Sequence, residues 1–233
     1  MSSASNFESV AAAFLHSAIH YPHNPFLFQP ATVAETYDSA PGPVSYDAVK
    51  IAVERLITAY ETAGYGEGHR VALMLDNRPD FFYHWFALNA IGASVVPINA
   101  ELTAAEQAYL LTLSECCLLV HTPLHHDKAL SAIKASGRQI VVCDDKSSIP
   151  KSMSQKIDGG ATTTATECAV LFTSGSTGQP KACVLNNNYF LEMGYWYRDI
   201  GGLCALEAGS ERLITPLPLT HMNAMATSTM AMI

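Results

Sequence analysis

Charged side chains are scarce in this sequence of 233 residues. Aspartate, glutamate, lysine and arginine make up 15% of it, whereas soluble domains average about 25%. Apolar types make up 49%, and this combination excludes an intrinsically disordered chain, which needs low hydrophobicity and high charge. We expect another surface to cover part of so apolar a chain. Alone, it is predicted to be poorly soluble or to self-associate as a homo-oligomer.

Basic residues are scarcer than acidic ones: the sequence has 13 lysines and arginines and 21 acidic residues, which gives a net charge of −8. No run of lysine or arginine occurs, and the first of them is Lys50. This pattern argues against a nucleic-acid partner, because such proteins carry a basic patch. The first twenty residues also lack the positive stretch of a secretory signal, which predicts a cytoplasmic protein.

Neither a membrane span nor a disulfide framework is expected. Phe81–Ala100 and Leu213–Ile233 lack charged side chains and have about the length of a span, but both contain proline, histidine and asparagine. We interpret them as buried segments of a soluble fold. The six cysteines include no Cys-x-x-Cys pair, which indicates free thiols in a reducing compartment.

Apolar periodicity predicts alternating helices and strands. The predicted helices are Asn6–His20, Ser45–Ala63, Pro79–Ile91, Thr103–Ser114, Asp127–Ser136, Asn187–Ile200 and a segment from His221 onward. The predicted strands are Arg70–Leu75, Ala93–Ile98, Cys116–Val120, Gln139–Cys143, Cys168–Thr173 and Arg212–Thr215. Such alternation favours an α/β fold, in which helices cover a parallel sheet.

Two further segments are interpreted from composition. Asp144–Thr166 is rich in serine, threonine, glycine and lysine, which predicts a surface connector between two parts of the fold. The histidines His121, His125 and His126 have no carboxylate at a metal-ligand spacing, and we interpret them as part of a solvated loop. The aromatic residues of Pro79–Ile91 are interpreted as helix packing.

The segment with the clearest chemistry follows the buried strand Cys168–Thr173. It runs Thr173-Ser174-Gly175-Ser176-Thr177-Gly178-Gln179-Pro180-Lys181 and combines four hydroxyls, two glycines and a lysine. Glycines let backbone N–H groups turn toward an anion, and successive inward N–H groups form an anion nest. The hydroxyls can donate to phosphate oxygens or help to hold Mg²⁺, and Lys181 adds a positive charge. The segment therefore predicts a polyphosphate site, with Thr177 as the candidate Mg²⁺ ligand.

This loop differs from a Walker loop, in which four residues separate the glycines and the lysine follows the second one directly. Here two residues separate Gly175 from Gly178, and Lys181 comes three later, behind Pro180. A Ser/Gly-rich turn without a ligand is the alternative, but this order ending in Pro-Lys is uncommon among such turns.

The loop resembles the phosphate-binding signature of the adenylate-forming enzymes, a family of acyl-CoA synthetases, aryl-CoA ligases, luciferases and peptide-synthetase adenylation domains. Further segments resemble family motifs in the same order: Val44-Ser45-Tyr46, Gly68–Asn77, Ala90–Asn99 and Pro218–Ala224. The resemblance covers residues 40–233. Met-Asn-Ala after His221 is similar to the carnitine- and crotonobetaine-CoA ligase branch.

The resemblance implies that residues 1–233 are the N-terminal part of an AMP-binding (adenylation) domain, with the C-terminal domain absent. It implies ATP-dependent activation of a small-molecule carboxylate with Mg²⁺, followed by thioester formation with coenzyme A. Thr173, Ser174, Gly175, Ser176, Thr177, Gly178 and Lys181 would hold the nucleotide phosphates. His221, Met222 and Asn223 would line the substrate pocket, with His221 at its mouth as the catalytic candidate.

Departures from the family pattern keep alternatives open. Ala182 replaces a usual glycine, Thr220 replaces a usual aromatic residue, and the later family motifs for adenine, ribose and the catalytic lysine are missing. The chain could instead belong to an amino-acid or aryl adenylating domain that loads a carrier protein, or be a truncated, non-catalytic module. His221 could be a hydrogen-bonded structural histidine behind the Pro-Leu-Pro turn.

Overall fold

A six-stranded sheet organises the computed structural model of the chain, which describes residues 7–158, 160–173 and 179–233. The helices are α1 (Val10–His20), α2 (Ala31–Thr36), α3 (Tyr46–Thr62), α4 (Pro79–Ala90), α5 (Ala104–Ser114), α6 (His126–Ser136), α7 (Asn187–Ile200) and α8 (Thr229–Met232). The strands are β1 (Pro25–Gln29), β2 (Gly42–Ser45), β3 (Arg70–Met74), β4 (Ser94–Pro97), β5 (Leu118–His121), β6 (Val141–Asp144), β7 (Glu167–Thr173) and β8 (Lys181–Asn186). Short 3₁₀ turns cover Pro123–His125 and Gly202–Cys204, and a π-helical turn, Asn223–Ser228, leads into α8.

The strand order in the large sheet is β6-β5-β3-β4-β7-β8. The strands from β6 to β7 are parallel to their neighbours, which confirms the predicted α/β class. The edge strand β8 is antiparallel to β7, so the sheet is mixed rather than purely parallel. Sequence patterning missed this strand because half of it is exposed.

Two cores lie on opposite faces of the sheet. Side chains alternate across a strand: in β3, Val71 and Leu73 enter one core while Ala72 and Met74 enter the other. The first core is formed with α1, α3, α4 and α7, and the second with α5 and α6. Both faces are therefore covered, as predicted. The aromatic residues of α4 pack in the first core, where Trp85 and Phe86 are fully buried.

Local signals set several helix ends where they were predicted. Ser45 accepts the N–H of Ala48 at the start of α3. Thr103 and Glu106 form the predicted capping box of α5. The first helix begins at Val10 rather than Asn6, because the Ser9 hydroxyl caps it by accepting the N–H of Ala12.

One predicted strand was wrong, and one pair of strands was missed. The segment Arg212–Thr215 forms no strand but runs as exposed irregular chain, with Ile214 96% exposed. Its apolar run alone could not make a strand, because a strand needs a neighbouring edge to pair with. In contrast, β1 and β2 form a separate antiparallel pair that the patterning missed, since prolines and glycine interrupt its period.

The connector after β6 returns toward the loop between α3 and β3. Ser152 N–H donates to the Ala63 carbonyl and Ile157 N–H to the Glu67 carbonyl, both at 2.8 Å. From Asp145 to Thr166, the described residues contain neither helix nor strand. The division of the chain around this connector stays a prediction. In the part of the chain that the structure describes, none of the helices is long and apolar enough to cross a membrane.

A buried pair of amides joins α1, α4 and α7. Asn89 Oδ1 accepts the N–H of Ala11 (2.9 Å), and its Nδ2 donates to Asn187 Oδ1 (2.8 Å). Asn187 Oδ1 also accepts the N–H of Val10 (3.1 Å), while its Nδ2 donates to the Thr163 carbonyl (3.0 Å). Both side chains are fully buried. The amides therefore satisfy polar groups from three helices and the connector without water.

Replacing Asn89 with alanine should destabilise the fold by about 2–4 kcal/mol, because each buried group left without a partner costs roughly 1–3 kcal/mol. The measurement is the free energy of unfolding in urea. Asn188→Ala is the matched control, since Asn188 follows the buried Asn187 in α7 but is itself exposed, and its loss should change stability by less than about 0.5 kcal/mol. Equal effects of the two changes would contradict the assignment.

A second buried polar pair lies between α3 and α4. The Tyr60 hydroxyl lies 2.7 Å from His84 Nδ1, and both side chains are buried. Burial lowers the pKa of His84 to about 3, with a smaller contribution from the charge of Arg78. The imidazole is therefore neutral at physiological pH and shares a hydrogen bond with the Tyr60 hydroxyl.

This pKa makes the fold sensitive to acid. Between pH 6.5 and about 3, the unfolded chain binds a proton at His84 that the folded chain does not, so stability falls as the pH falls. Relative to His84→Gln, which keeps an acceptor but does not titrate, the native protein should lose up to about 3 kcal/mol between pH 6.5 and 4. Urea unfolding of both proteins across this range measures the difference; parallel profiles would refute the prediction.

Candidate functional site

Polar residues follow the parallel strands at one edge of the sheet. These residues, at or just beyond the carboxyl ends, are Asp76–Arg78 after β3, Asn99 and Glu101 after β4, His121 and Thr122 at the end of β5, Asp144 and Asp145 at the end of β6, and Thr173 at the end of β7. The strands β5 and β3 are neighbours in the sheet. From β3 the chain continues to β4 in one direction along the strand order, whereas from β5 it continues to β6 in the opposite direction. Ligands of open α/β sheets bind outside the carboxyl ends, where the strand order reverses. This edge is therefore the candidate site.

The strands β7 and β8 bring Thr173 and Lys181 together. The two residues pair directly across the antiparallel ladder, so their Cβ atoms lie about 5 Å apart on the same face. Both side chains are exposed, and within the described ranges Lys181 has no acidic partner. A hydroxyl donor and a free ammonium thus stand side by side where the loop leaves and rejoins the sheet.

The remaining residues of the predicted phosphate site lie outside the described residues. They are Ser174, Gly175, Ser176, Thr177 and Gly178. Their role in phosphate binding, and that of Thr177 toward Mg²⁺, stays a prediction. The far end of the loop is held by Tyr109 of α5, whose hydroxyl donates to the Pro180 carbonyl at 3.2 Å.

His221 begins the last helical segment and is exposed, as are Met222 and Asn223. Its N–H donates to the Pro218 carbonyl at 2.8 Å, which closes a turn. Its ring nitrogen Nδ1 accepts the N–H of Asn223, the first residue of the π-helical turn, at 3.4 Å. In the neutral ring this leaves the proton on Nε2, which is free of described partners. The residue therefore has a structural contact and an available donor.

Asn77, which sequence reasoning left without a role, ties this turn to the sheet. Its Nδ2 donates to the Leu217 carbonyl (2.9 Å), and its Oδ1 accepts the N–H of Leu219 (2.7 Å). Asn77 follows β3, which lies two strands from β7, a separation of about 10 Å. The turn before His221 and the Thr173 side chain therefore belong to the same edge. The signal for Asn77 was an amide three residues after the end of a buried strand.

A charged cluster supports this edge. We define it as Tyr37, Asp76, Arg78, His125 and Asp145. The buried guanidinium of Arg78 contacts Asp145 at 2.7 Å and lies over the ring of Tyr37. The hydroxyl of Tyr37 and the Nε2 of His125 each lie 2.7 Å from Asp76 Oδ2. Burial, and then the hydrogen bond to Asp76, raise the pKa of Tyr37, so the phenol stays protonated.

This cluster corrects the interpretation of the three histidines as a solvated loop. His121 is only 1% exposed, and its Nε2 lies 3.3 Å from Nδ1 of His126. His125 is held by Asp76. His121 ends the buried strand β5 and His125 folds back onto the sheet edge, whereas His126 is exposed at the start of α6. In the described ranges, no group of three or more His, Cys, Asp or Glu is arranged to hold a metal.

A separate cavity lies between α1, α7, residues 206–212 and α8. Its volume is about 490 Å³, and aromatic rings from Tyr21, Tyr46, Tyr195 and Tyr197 line it. Thr173, Lys181 and His221 are absent from its lining. The predicted site is therefore an open sheet edge rather than this cavity.

Comparison with known proteins matches this chain to one family. A family model described as "AMP-binding enzyme" matches residues 16–233. A crotonobetaine/carnitine–CoA ligase of Shigella dysenteriae is 31% identical over 220 residues, and one of Escherichia coli K12 is 30% identical over the same length. Each alignment covers 86% of this chain and 41% of the relative. The chain thus spans less than half the length of the curated relatives it matches.

Solved structures agree on the fold. The N-terminal domain of FACL13 from Mycobacterium tuberculosis, crystallised with an inhibitor, superposes with a TM-score of 0.76 at 19% identity, over 97% of this chain and 55% of that one. The N-terminal subdomain of NpsA from Klebsiella oxytoca superposes with a TM-score of 0.64 at 18% identity, over 82% of this chain and 45% of that one. At these identities, the likeness establishes the architecture alone.

Proposed function

Because this chain belongs to the AMP-binding enzyme family, we propose that it forms the phosphate-binding part of a carboxylate–CoA ligase. The reaction is activation of a carboxylic acid by ATP to an acyl-adenylate, followed by transfer of the acyl group to coenzyme A. The observation that carries the proposal is the pairing of Thr173 with Lys181 at the carboxyl edge of the sheet. The names of the relatives, which are CoA ligases, favour coenzyme A over a carrier protein as acceptor.

A carboxylate is a poor electrophile, and joining it to AMP creates a mixed anhydride with a good leaving group. The carboxylate oxygen attacks the α-phosphorus, and pyrophosphate leaves. In this proposal Lys181 and the Thr173 hydroxyl bind and orient the phosphates, so that their contribution is positioning and charge stabilisation. The thiol of coenzyme A then attacks the acyl carbon, and AMP leaves.

The donor set suits Mg²⁺, which prefers oxygen ligands and usually binds through one or two protein groups plus the substrate's phosphates. Thr177 is the candidate ligand, and Thr173 supplies a further hydroxyl at the edge. When bound, Mg²⁺ neutralises phosphate charge.

His221 is proposed to stand at the mouth of the carboxylate pocket. Its Nδ1 is engaged by Asn223 N–H, which fixes the ring and leaves Nε2–H to donate to a carboxylate oxygen. Met222 and Asn223, exposed beside it, would contact the rest of the acid. The relatives' names favour a small acid, and carnitine and crotonobetaine belong in any substrate panel.

The first test is Mg²⁺–ATP binding by the 233-residue chain, measured calorimetrically. Lys181→Ala should weaken the affinity about tenfold, because a charge-assisted hydrogen bond contributes roughly 1.5 kcal/mol or more. Lys151→Ala is the control: this lysine is also exposed, but its neighbour Ser152 bonds to the loop that precedes β3, at the opposite edge. Equal losses in both variants would indicate non-specific attraction and contradict the proposed site.

The second test separates binding from turnover. Given ATP, Mg²⁺ and the acid panel, the 233-residue chain alone should form no acyl-adenylate, because the family's later motifs are not in it. The complete gene product that contains these residues should show carboxylate-dependent ATP–pyrophosphate exchange and form thioesters with coenzyme A. Turnover by the 233 residues alone would refute the first expectation, and a complete gene product without exchange would refute the function.

A further inference from the structure

The segment that leads to His221 has few contacts that could fix its position. Residues 211–216 are mostly exposed and form no regular structure. Between Gly201 and His221, three hydrogen bonds reach the rest of the described chain: one from Asn24 to the Gly209 carbonyl and two from Asn77. The buried Leu219 side chain adds an apolar anchor. Near His221, both described hydrogen bonds that tie the turn to the end of β3 therefore come from Asn77. Leu217 also packs against the first core, and the His221 carbonyl accepts the N–H of Met225.

The two bonds of Asn77 engage the residues on either side of Pro218. Its amide donates to the Leu217 carbonyl and accepts the N–H of Leu219, as the peptide group of a neighbouring strand would. Only a side chain that carries both a donor and an acceptor can do this. Aspartate would keep the bond from Leu219 N–H but face the Leu217 carbonyl with a second acceptor.

The residues that flank Asn77 are held on both sides. Asp76 has a left-handed backbone conformation (φ 55°), and its carboxylate accepts from Tyr37 and lies against His125. Arg78 is buried and paired with Asp80 and Asp145. Asn77 therefore projects from the rigid end of β3, so the turn that it binds inherits a fixed place relative to the sheet.

We propose that Asn77 is a positioning residue that sets the place of His221 relative to Thr173 and Lys181. This inference rests on the proposed function and assigns Asn77 to the carboxylate side of the reaction. Misplacing a reacting group by about 1 Å can lower a rate by roughly 100-fold. Because Asn77 is exposed, water can replace its bonds, and its loss should change stability little. The expected signature is thus a kinetic defect in a folded protein.

The experiment compares Asn77→Ala, Asn77→Asp and Asn24→Ala in the complete gene product. Carboxylate-dependent ATP–pyrophosphate exchange gives kcat and KM for each substrate, and hydrogen exchange at the Leu219 amide reports the tie directly. Asn24→Ala is the matched control, because it removes the other hydrogen bond to the same segment. That bond is made at Gly209, ten residues before Leu219. Thermal unfolding shows whether each variant is folded.

Asn77→Ala should lower kcat/KM for the acid at least tenfold, leave KM for ATP within twofold and speed exchange at Leu219. The kcat/KM of Asn77→Asp for the acid should lie between those of Asn77→Ala and the native protein, since aspartate keeps one of the two hydrogen bonds. The kcat/KM of Asn24→Ala should stay within twofold of the native value. The inference would be overturned if the Asn77→Ala protein had native kinetics, or if Asn24→Ala lowered kcat/KM equally. In either case, ATP–pyrophosphate exchange by the native protein would still uphold the function. An inactive native gene product would instead overturn the function.

Discussion

The buried amide pair of Asn89 and Asn187 is the interaction on which the rest of the structure depends. Asn187 is the first residue of α7 and follows directly on β8, the strand that brings the phosphate loop back to the sheet. By bonding to Asn89 it attaches α7 to α4, and by bonding to Thr163 it attaches the end of the connector. Both side chains are fully buried, and their Oδ1 atoms also accept the N–H groups of Ala11 and Val10 at the start of α1. The return path of the loop is thereby fixed to the core.

The low charge of the sequence follows from the same architecture. Helices cover both faces of the sheet, so most of β3, β4, β5 and β7 lies in apolar cores. Charged and polar groups collect at the carboxyl edge, where Arg78 is buried against Asp145 and covered by Tyr37. The long uncharged stretch Phe81–Ala100 is likewise explained as α4 and β4, both internal.

Local signals made much of this predictable from sequence. The capping box of Thr103 and Glu106 and the bounds of α7 were found because their determinants lie within a few residues of the helix ends. Pairing is non-local, and here prediction failed: β8 and the β1–β2 pair were missed, while Arg212–Thr215 was wrongly taken as a strand. An apolar run does not reveal whether an edge is available to it.

The candidate site likewise combines residues that could be recognised from sequence with one that could not. The run from Thr173 to Lys181 is contiguous, so its chemistry could be recognised from composition and order alone. The place of His221 is set across 140 residues, by an amide after β3 that pairs with Leu217 and Leu219. Neither partner is chemically conspicuous in sequence, because a backbone carbonyl and N–H belong to almost every residue. The residues that would touch ligands are thus visible in the sequence, whereas the residue that brings them into one site emerges only when the sheet is assembled.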